Sequence, residues 1–206
     1  MDSSHVGSVR HSEAVQHSEA VLVVSCTEKS AALFSDALAA ASIKYITVIA
    51  SAGEARRVLL DKDFDIVIID APLPDESGET LARHIAAKGL SQVIFAVSSE
   101  HFNAMCSVCQ GDGVLTIPKP FDKNFFWSVL SLARSVSIKL KRMHDENAKL
   151  KQRIEDIRII DRAKCVLISN LSLTEQEAHR FIEKQAMDLR STKRAIAEEI
   201  LKTYAN

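Results

Sequence analysis

The chain has 206 residues, 47% of them apolar, and a net charge of −1, which gives room for one ordinary domain plus a small second one. No window approaches 18 uncharged apolar residues, and the start Met1-Asp2-Ser3-Ser4-His5 has neither a basic opening nor an apolar core. Neither a membrane span nor a signal peptide is therefore expected, and the expected location is cytoplasmic.

Residues 1–18 are polar and repeat His-Ser-Glu-Ala-Val at 11–15 and 17–21. His5, His11 and His17 share no helical face, so this stretch is expected to be a flexible tail rather than a ligand set. From Ala20 short apolar runs alternate with helical patterns. Ala20–Val24 reads as a strand, Glu28–Ala41 as a helix capped by Thr27, and Lys44–Ala50 as a second strand. Ser51-Ala-Gly-Glu54 is a capping box for a helix ending near Asp61. Asp65–Asp70 is a nearly continuous Ile/Val run of the kind buried on both faces. Gly78–Lys88 reads as a helix, Gln92–Val97 as a strand, Glu100–Gln110 as a helix and Val114–Ile117 as the last strand. Five strands alternating with helices predict an α/β fold with a doubly wound, flavodoxin-like parallel sheet. Functional groups in such sheets collect at the carboxyl ends of the strands, which selects Ser25-Cys26, Asp70, Ser98 and Lys119.

Asp122 to Asn170 contains neither Pro nor Gly, and at ~1.5 Å per residue it can form one helix about 70 Å long. Val136, Leu140, Met143, Asn147, Leu150, Ile154 and Ile157 alternate in steps of four and three, the seam of a left-handed coiled coil. A homodimer stalk is expected, with Asn147 fixing its register. After Ile157 the apolar face shifts to Ile160, Ala163 and Leu167. Asn170 is expected to stop this helix in a left-handed conformation. Thr174-Glu-Gln-Glu177 opens a second helix as a capping box, and Ser191 is placed to cap a third, which completes a small three-helix bundle. Residues 1–139 carry −4 and residues 140–206 carry +3, so any polyanion partner belongs to the C-terminal third.

The cysteines are Cys26, Cys106, Cys109 and Cys165. Cys106 and Cys109 have the spacing of half a zinc site or a redox pair, but no second CxxC or His pair accompanies them. Reduced thiols are expected, with a thiol redox sensor using Cys106 and Cys109 as a competing reading.

Asp65-Ile-Val-Ile-Ile-Asp70-Ala-Pro-Leu-Pro74-Asp-Glu-Ser-Gly78, Ser98 and Lys119-Pro120-Phe121 together resemble the receiver domain of bacterial response regulators. The resemblance implies Asp70 as phosphoacceptor, with Ser98 and Lys119 contacting the phosphoryl oxygens. Receivers also keep two acidic residues after the first strand for Mg²⁺, and here Ser25 and Cys26 stand in their place, poor ligands for a hard cation. No metal or other cofactor is therefore expected, with Mg²⁺ only weakly supported. The aromatic switch position is Thr116. A pseudo-receiver, no longer switched by ordinary phosphorylation, is the expectation.

Arg162-Ala163-Lys164, Glu177-Ala178-His179, Gln185-Ala186-Met187 and Ile196-Ala197-Glu-Glu-Ile-Leu201, with the lengths between them, are similar to the ANTAR family of transcription antitermination regulators. That resemblance implies binding to paired stem-loops in nascent mRNA and no catalytic turnover. Arg158, Arg162, Lys164, His179, Arg190, Lys193 and Arg194 are the candidate RNA contacts, with Ala163, Ala178, Ala186 and Met187 expected in packing. The expected organisation is a tail over 1–18, a receiver-like domain over 19–135, a coiled-coil linker over 136–157 and an ANTAR domain over 158–206. A sensor kinase or a sequestering protein is the expected input. A DNA-binding response regulator is the other competing reading, opposed by Glu198-Glu199 in the middle of the third helix, which suits a major groove poorly.

Overall fold

The computed structural model describes residues 19–204, so the tail with its repeat and its three histidines lies outside the described residues. The chain divides into two compact units that meet in sequence at Lys141 and Arg142.

The first unit alternates β1 (Ala20–Ser25), α1 (Glu28–Ala40), β2 (Tyr45–Ile49), α2 (Ala52–Asp61), β3 (Ile66–Asp70), α3 (Glu79–Lys88), β4 (Gln92–Ser98), α4 (Phe102–Cys109) and β5 (Leu115–Lys119). The strands form one sheet in the order β2-β1-β3-β4-β5, and every pairing is parallel. Each strand's period of two feeds two cores. Leu22, Val24, Val67, Ile69, Val93 and Phe95 face one, and Val21, Val23, Ile66, Ile68, Ile94 and Ala96 face the other. Burial on both sides is why these strands read as unbroken apolar runs.

A 49-residue helix, α5 (Lys123–Leu171), begins under this sheet. Phe126 packs against Phe34 of α1 with ring centroids 5.4 Å apart, and Phe121 stacks on Phe126 at 5.6 Å. Phe126, Leu130 and Ala133 are buried against the sheet. Farther along, Lys141 pairs with Asp65, whose carboxylate also accepts the amide of Ala20 at 2.8 Å. The helix is thus fastened at both ends of the strands. From Arg142 to Glu155 every side chain is exposed, including Met143, Leu150 and Ile154 of the heptad stripe, each about half exposed, and Ile157 just beyond is equally open.

The second unit is the end of α5 with α6 (Glu175–Asp188) and α7 (Lys193–Tyr204). Its core is Ala163, Leu167, Ala178, Ile182, Ala186, Ile196, Ala197 and Ile200, and its four alanines let the helices approach closely. The capping box at Thr174 and Glu177 is formed as expected.

Four local expectations are corrected. Asn170 stays inside α5, its side-chain amide donating to the Val166 carbonyl, and Ser172 takes the left-handed conformation with φ 54°. Thr192, not Ser191, caps α7, its hydroxyl accepting the Ala195 amide at 3.2 Å. Met187 is 78% exposed, because Ala178, Ile182 and Ala186 define the inward face of α6 and Met187 lies a further ~100° around it. The helix expected over Glu100–Gln110 begins at Phe102 and ends in a 3₁₀ turn over Gln110–Asp112.

Candidate functional site

Asp70 ends β3 at the carboxyl edge of the sheet and is 4% exposed. The parallel register sets Ser25 beside Asp70 and Lys119 beside Ser98. Ser25 Oγ donates to Asp70 Oδ2 at 2.8 Å, and Lys119 Nζ reaches Asp70 Oδ1 at 2.5 Å. Lys119 also donates to the Ala71 carbonyl. Both oxygens of the carboxylate are therefore engaged, one by a cation and one by a hydroxyl. The donor set at this position is one carboxylate, a hydroxyl and the Cys26 thiol, and the thiol faces the Pro72 carbonyl at 3.5 Å. These groups do not fit a hard divalent cation, which takes carboxylate and carbonyl oxygens in number. Among the described residues, no group of three or more His, Cys, Asp or Glu side chains is arranged to hold a metal.

Ser98 does not join this pair. Its Oγ lies 2.8 Å from His101 Nδ1, and the two side chains line a cavity of about 270 Å³ with Ala71, Pro72, Ser77, Phe95, Val97 and Met105. Thr116, paired in register with Phe95, has a buried hydroxyl without a hydrogen-bond partner among the described residues.

The loop after β3 is pinned by contacts that sequence reading missed. Asp75 accepts the amides of Ala52 and Gly53 at 3.0 and 2.8 Å, and these bonds at the start of α2 hold its carboxyl below the usual range. Glu76 accepts the Leu81 amide and pairs with Arg56 at 2.7 Å. The signal was two acids just before the Ser77-Gly78 opening of α3, but their partners lie elsewhere in the chain.

In the second unit the predicted cations separate into two groups. Lys164 of α5 sits between Asp161 and Glu175 at 2.8 and 2.9 Å, and these carboxylates push its pKa up to about 12. Lys193 of α7 pairs with Glu183 of α6, which also lies 3.2 Å from His179. Arg194 of α7 reaches Asp156 of α5 at 2.7 Å and Glu198 at 2.8 Å. Lys164, Lys193 and Arg194 thus tie α5 to α6, α6 to α7 and α7 to α5. Arg158 is open, with Glu155 only at 3.8 Å. Arg162 and Arg190 are exposed and form no ion pair among the described residues. Phe181, Leu189 and Tyr204 border an open cavity of about 220 Å³ beside Gln185.

Residues 148–201 match the family model described as the ANTAR domain. The C-terminal part of the chain is thus an ANTAR domain. The match takes in the last part of the exposed stripe as well as the bundle. The chain is 27% identical over 139 residues to the transcriptional regulatory protein PdtaR of Mycobacterium tuberculosis, covering 68% of each chain. It is 32% identical over 89 residues to the aliphatic amidase regulator of Pseudomonas aeruginosa, covering 43% of this chain and 44% of that one. Its first unit shares the receiver fold. The signal receiver domain of an HD domain-containing protein from Pseudomonas fluorescens matches with a TM-score of 0.56 at 18% identity, over 62% of this chain and 95% of that one. No helix among the described residues is long and apolar enough to cross a membrane.

The thiols of this chain are all free. Cys109 is fully buried in the sheet's core, and burial pushes its thiol pKa up, which makes it a poor nucleophile. Titration with a thiol reagent is expected to label Cys26 and Cys165 quickly, Cys106 more slowly and Cys109 only on unfolding. Formation of a Cys106–Cys109 disulfide under mild oxidant would contradict this order and revive the redox reading.

Proposed function

We propose that this chain is a dimeric RNA-binding antitermination regulator that grips paired stem-loops in a nascent transcript, under a pseudo-receiver that is not switched by Mg²⁺-dependent phosphorylation of Asp70. The observation that carries the reading is the ANTAR match over residues 148–201. The uncovered heptad stripe on α5 supports the dimer. Two identical bundles on one stalk suit two hairpins and raise overall affinity through effective concentration. The engaged state of Asp70 supports an input other than phosphate, through a ligand or a sequestering protein.

Among the seven candidate contacts, Arg158, Arg162 and Arg190 are the ones free to meet phosphates and loop bases. Lys164, Lys193 and Arg194 serve first to hold the bundle, and His179 joins them through Glu183. Phe181 and Tyr204 offer aromatic faces on which an unstacked base can rest.

Fluorescence anisotropy against an RNA with two stem-loops, beside duplex DNA and scrambled RNA at two salt concentrations, tests the reading. Preference for the paired stem-loops is expected to persist at the higher salt. Equal and steeply salt-dependent binding to all three would reduce the unit to a nonspecific basic patch. Arg190 provides a control free of folding artefacts, because it sits at φ 48°, where a side chain is strained and glycine is not. Arg190→Gly is expected to raise stability by about 1 kcal/mol and to weaken stem-loop binding roughly tenfold, the worth of one charge-assisted hydrogen bond. A stabilised variant with unchanged affinity would remove Arg190 from the interface.

A further inference from the structure

We propose that the cavity between β4, α4 and the segment after β3 binds a small, mostly apolar molecule ending in a hydrogen-bond acceptor, of the class of aromatic or cyclic aliphatic carboxylates and ketones. Its floor is Phe95 and Val97, one wall is Ala71 and Pro72, and the other is Met105 of α4. At about 270 Å³ it has room for roughly nine water-sized groups, the scale of a single substituted ring.

Its polar groups are gathered. Ser98 Oγ and His101 Nδ1 are hydrogen-bonded at 2.8 Å, and Ser77 stands at the exposed rim. If Nδ1 accepts from Ser98, the imidazole keeps its Nε2–H as a donor. If Nδ1 donates, the Ser98 hydroxyl keeps its own hydrogen. Either arrangement leaves a donor in the pair for a ligand oxygen. Among the described residues no carboxylate lines the cavity, so an ammonium group would be desolvated there without a counter-charge, which selects against cations.

The cavity wall is also the wall of the Asp70 site. The Ala71 carbonyl accepts from Lys119 Nζ, which binds Asp70 with the same ammonium group, and the Pro72 carbonyl faces Cys26. A ligand pressing on Ala71 and Pro72 therefore acts on residues one bond away from the buried ion pair. Ser98, selected from sequence as a phosphate contact, supplies the polar end of this cavity instead.

Methionine methyl NMR on the full-length protein tests the proposal directly. Met105 is the only methionine among the described residues of the first unit, whereas Met143 and Met187 belong to the second and act as internal controls. Titration with benzoate, cyclohexanecarboxylate and acetophenone is expected to give a saturable shift of the Met105 methyl for at least one probe, with Met143 and Met187 unmoved. Ser77→Trp, on an exposed rim residue, is expected to abolish that shift, and His101→Ala to weaken it about tenfold. Absence of any saturable Met105 shift, a shift indifferent to Ser77→Trp, or equal binding of benzylammonium would each overturn the assignment. RNA affinity does not enter the readout, so the outcome is independent of the antitermination reading.

Discussion

Replacing Lys119 by methionine is expected to cost the first unit about 3 kcal/mol of stability, read from the midpoint of its urea transition. The cause is what the substitution leaves behind. Asp70 is 4% exposed and, among the described residues, Lys119 is the one cation that reaches it, so removing the ammonium strands a buried carboxylate with Ser25 as its remaining described side-chain partner. The magnitude stands near the lower end for broken buried pairs because the Lys119 side chain is 29% exposed, and water can relieve part of the loss. Combining Lys119→Met with Asp70→Asn is expected to restore more than half of the stability, since two neutral groups no longer demand each other. A single variant within about 0.5 kcal/mol of the natural protein, the range of ordinary surface substitutions, would show that the pair does not hold the site closed.

The second large effect is expected on the stalk. Leu150→Lys together with Ile154→Lys should convert a dimer into a monomer at micromolar concentration, as seen by sedimentation. Each side chain is about half exposed in the single chain, so a partner helix can still cover roughly 1 kcal/mol of apolar surface on each. Two residues on two chains amount to about 4 kcal/mol, or roughly a thousandfold in the dimer Kd. Paired stem-loop RNA should then bind no better than a single stem-loop. Unchanged sedimentation in this variant would place the association surface elsewhere. Asn147→Val is expected to act in the opposite direction, tightening association while relaxing register, because the polar seam residue trades stability for specificity. In the single chain the Asn147 side-chain amide turns back to the Met143 carbonyl at 2.9 Å, a bond it can exchange for a partner amide.

The fold was legible because its strands are buried on both faces. Val21 to Val24 and Ile66 to Ile69 alternate between two cores without a polar interruption, and no amphipathic helix gives that pattern. The long helix was legible from the absence of Gly and Pro, and the capping box at Thr174 from its spacing. Other features depended on contacts that no local pattern carries. Ser172 rather than Asn170 takes the left-handed conformation after α5, while the Asn170 side-chain amide turns back to the Val166 carbonyl. Lys164, Lys193 and Arg194 look like free cations in sequence, but the carboxylates that tie them to another helix stand 11, 10 and 38 residues away. Ser98 turns to His101 three positions on, a local contact whose meaning emerges only once Phe95, Val97 and Met105 close a cavity around it.

The fourteen exposed residues from Arg142 to Glu155 have a thermodynamic consequence of their own. The turns on either side meet the cost of nucleating this part of the helix, but propagation through residues without tertiary contacts adds little per step. In an isolated chain the segment therefore unwinds at small cost, while in the proposed dimer the apolar stripe would hold it. Local melting and subunit dissociation would then be one equilibrium, and helix content is expected to rise with protein concentration by mass action. On that reading the amount of protein present would itself set the fraction of chains whose stalk is wound.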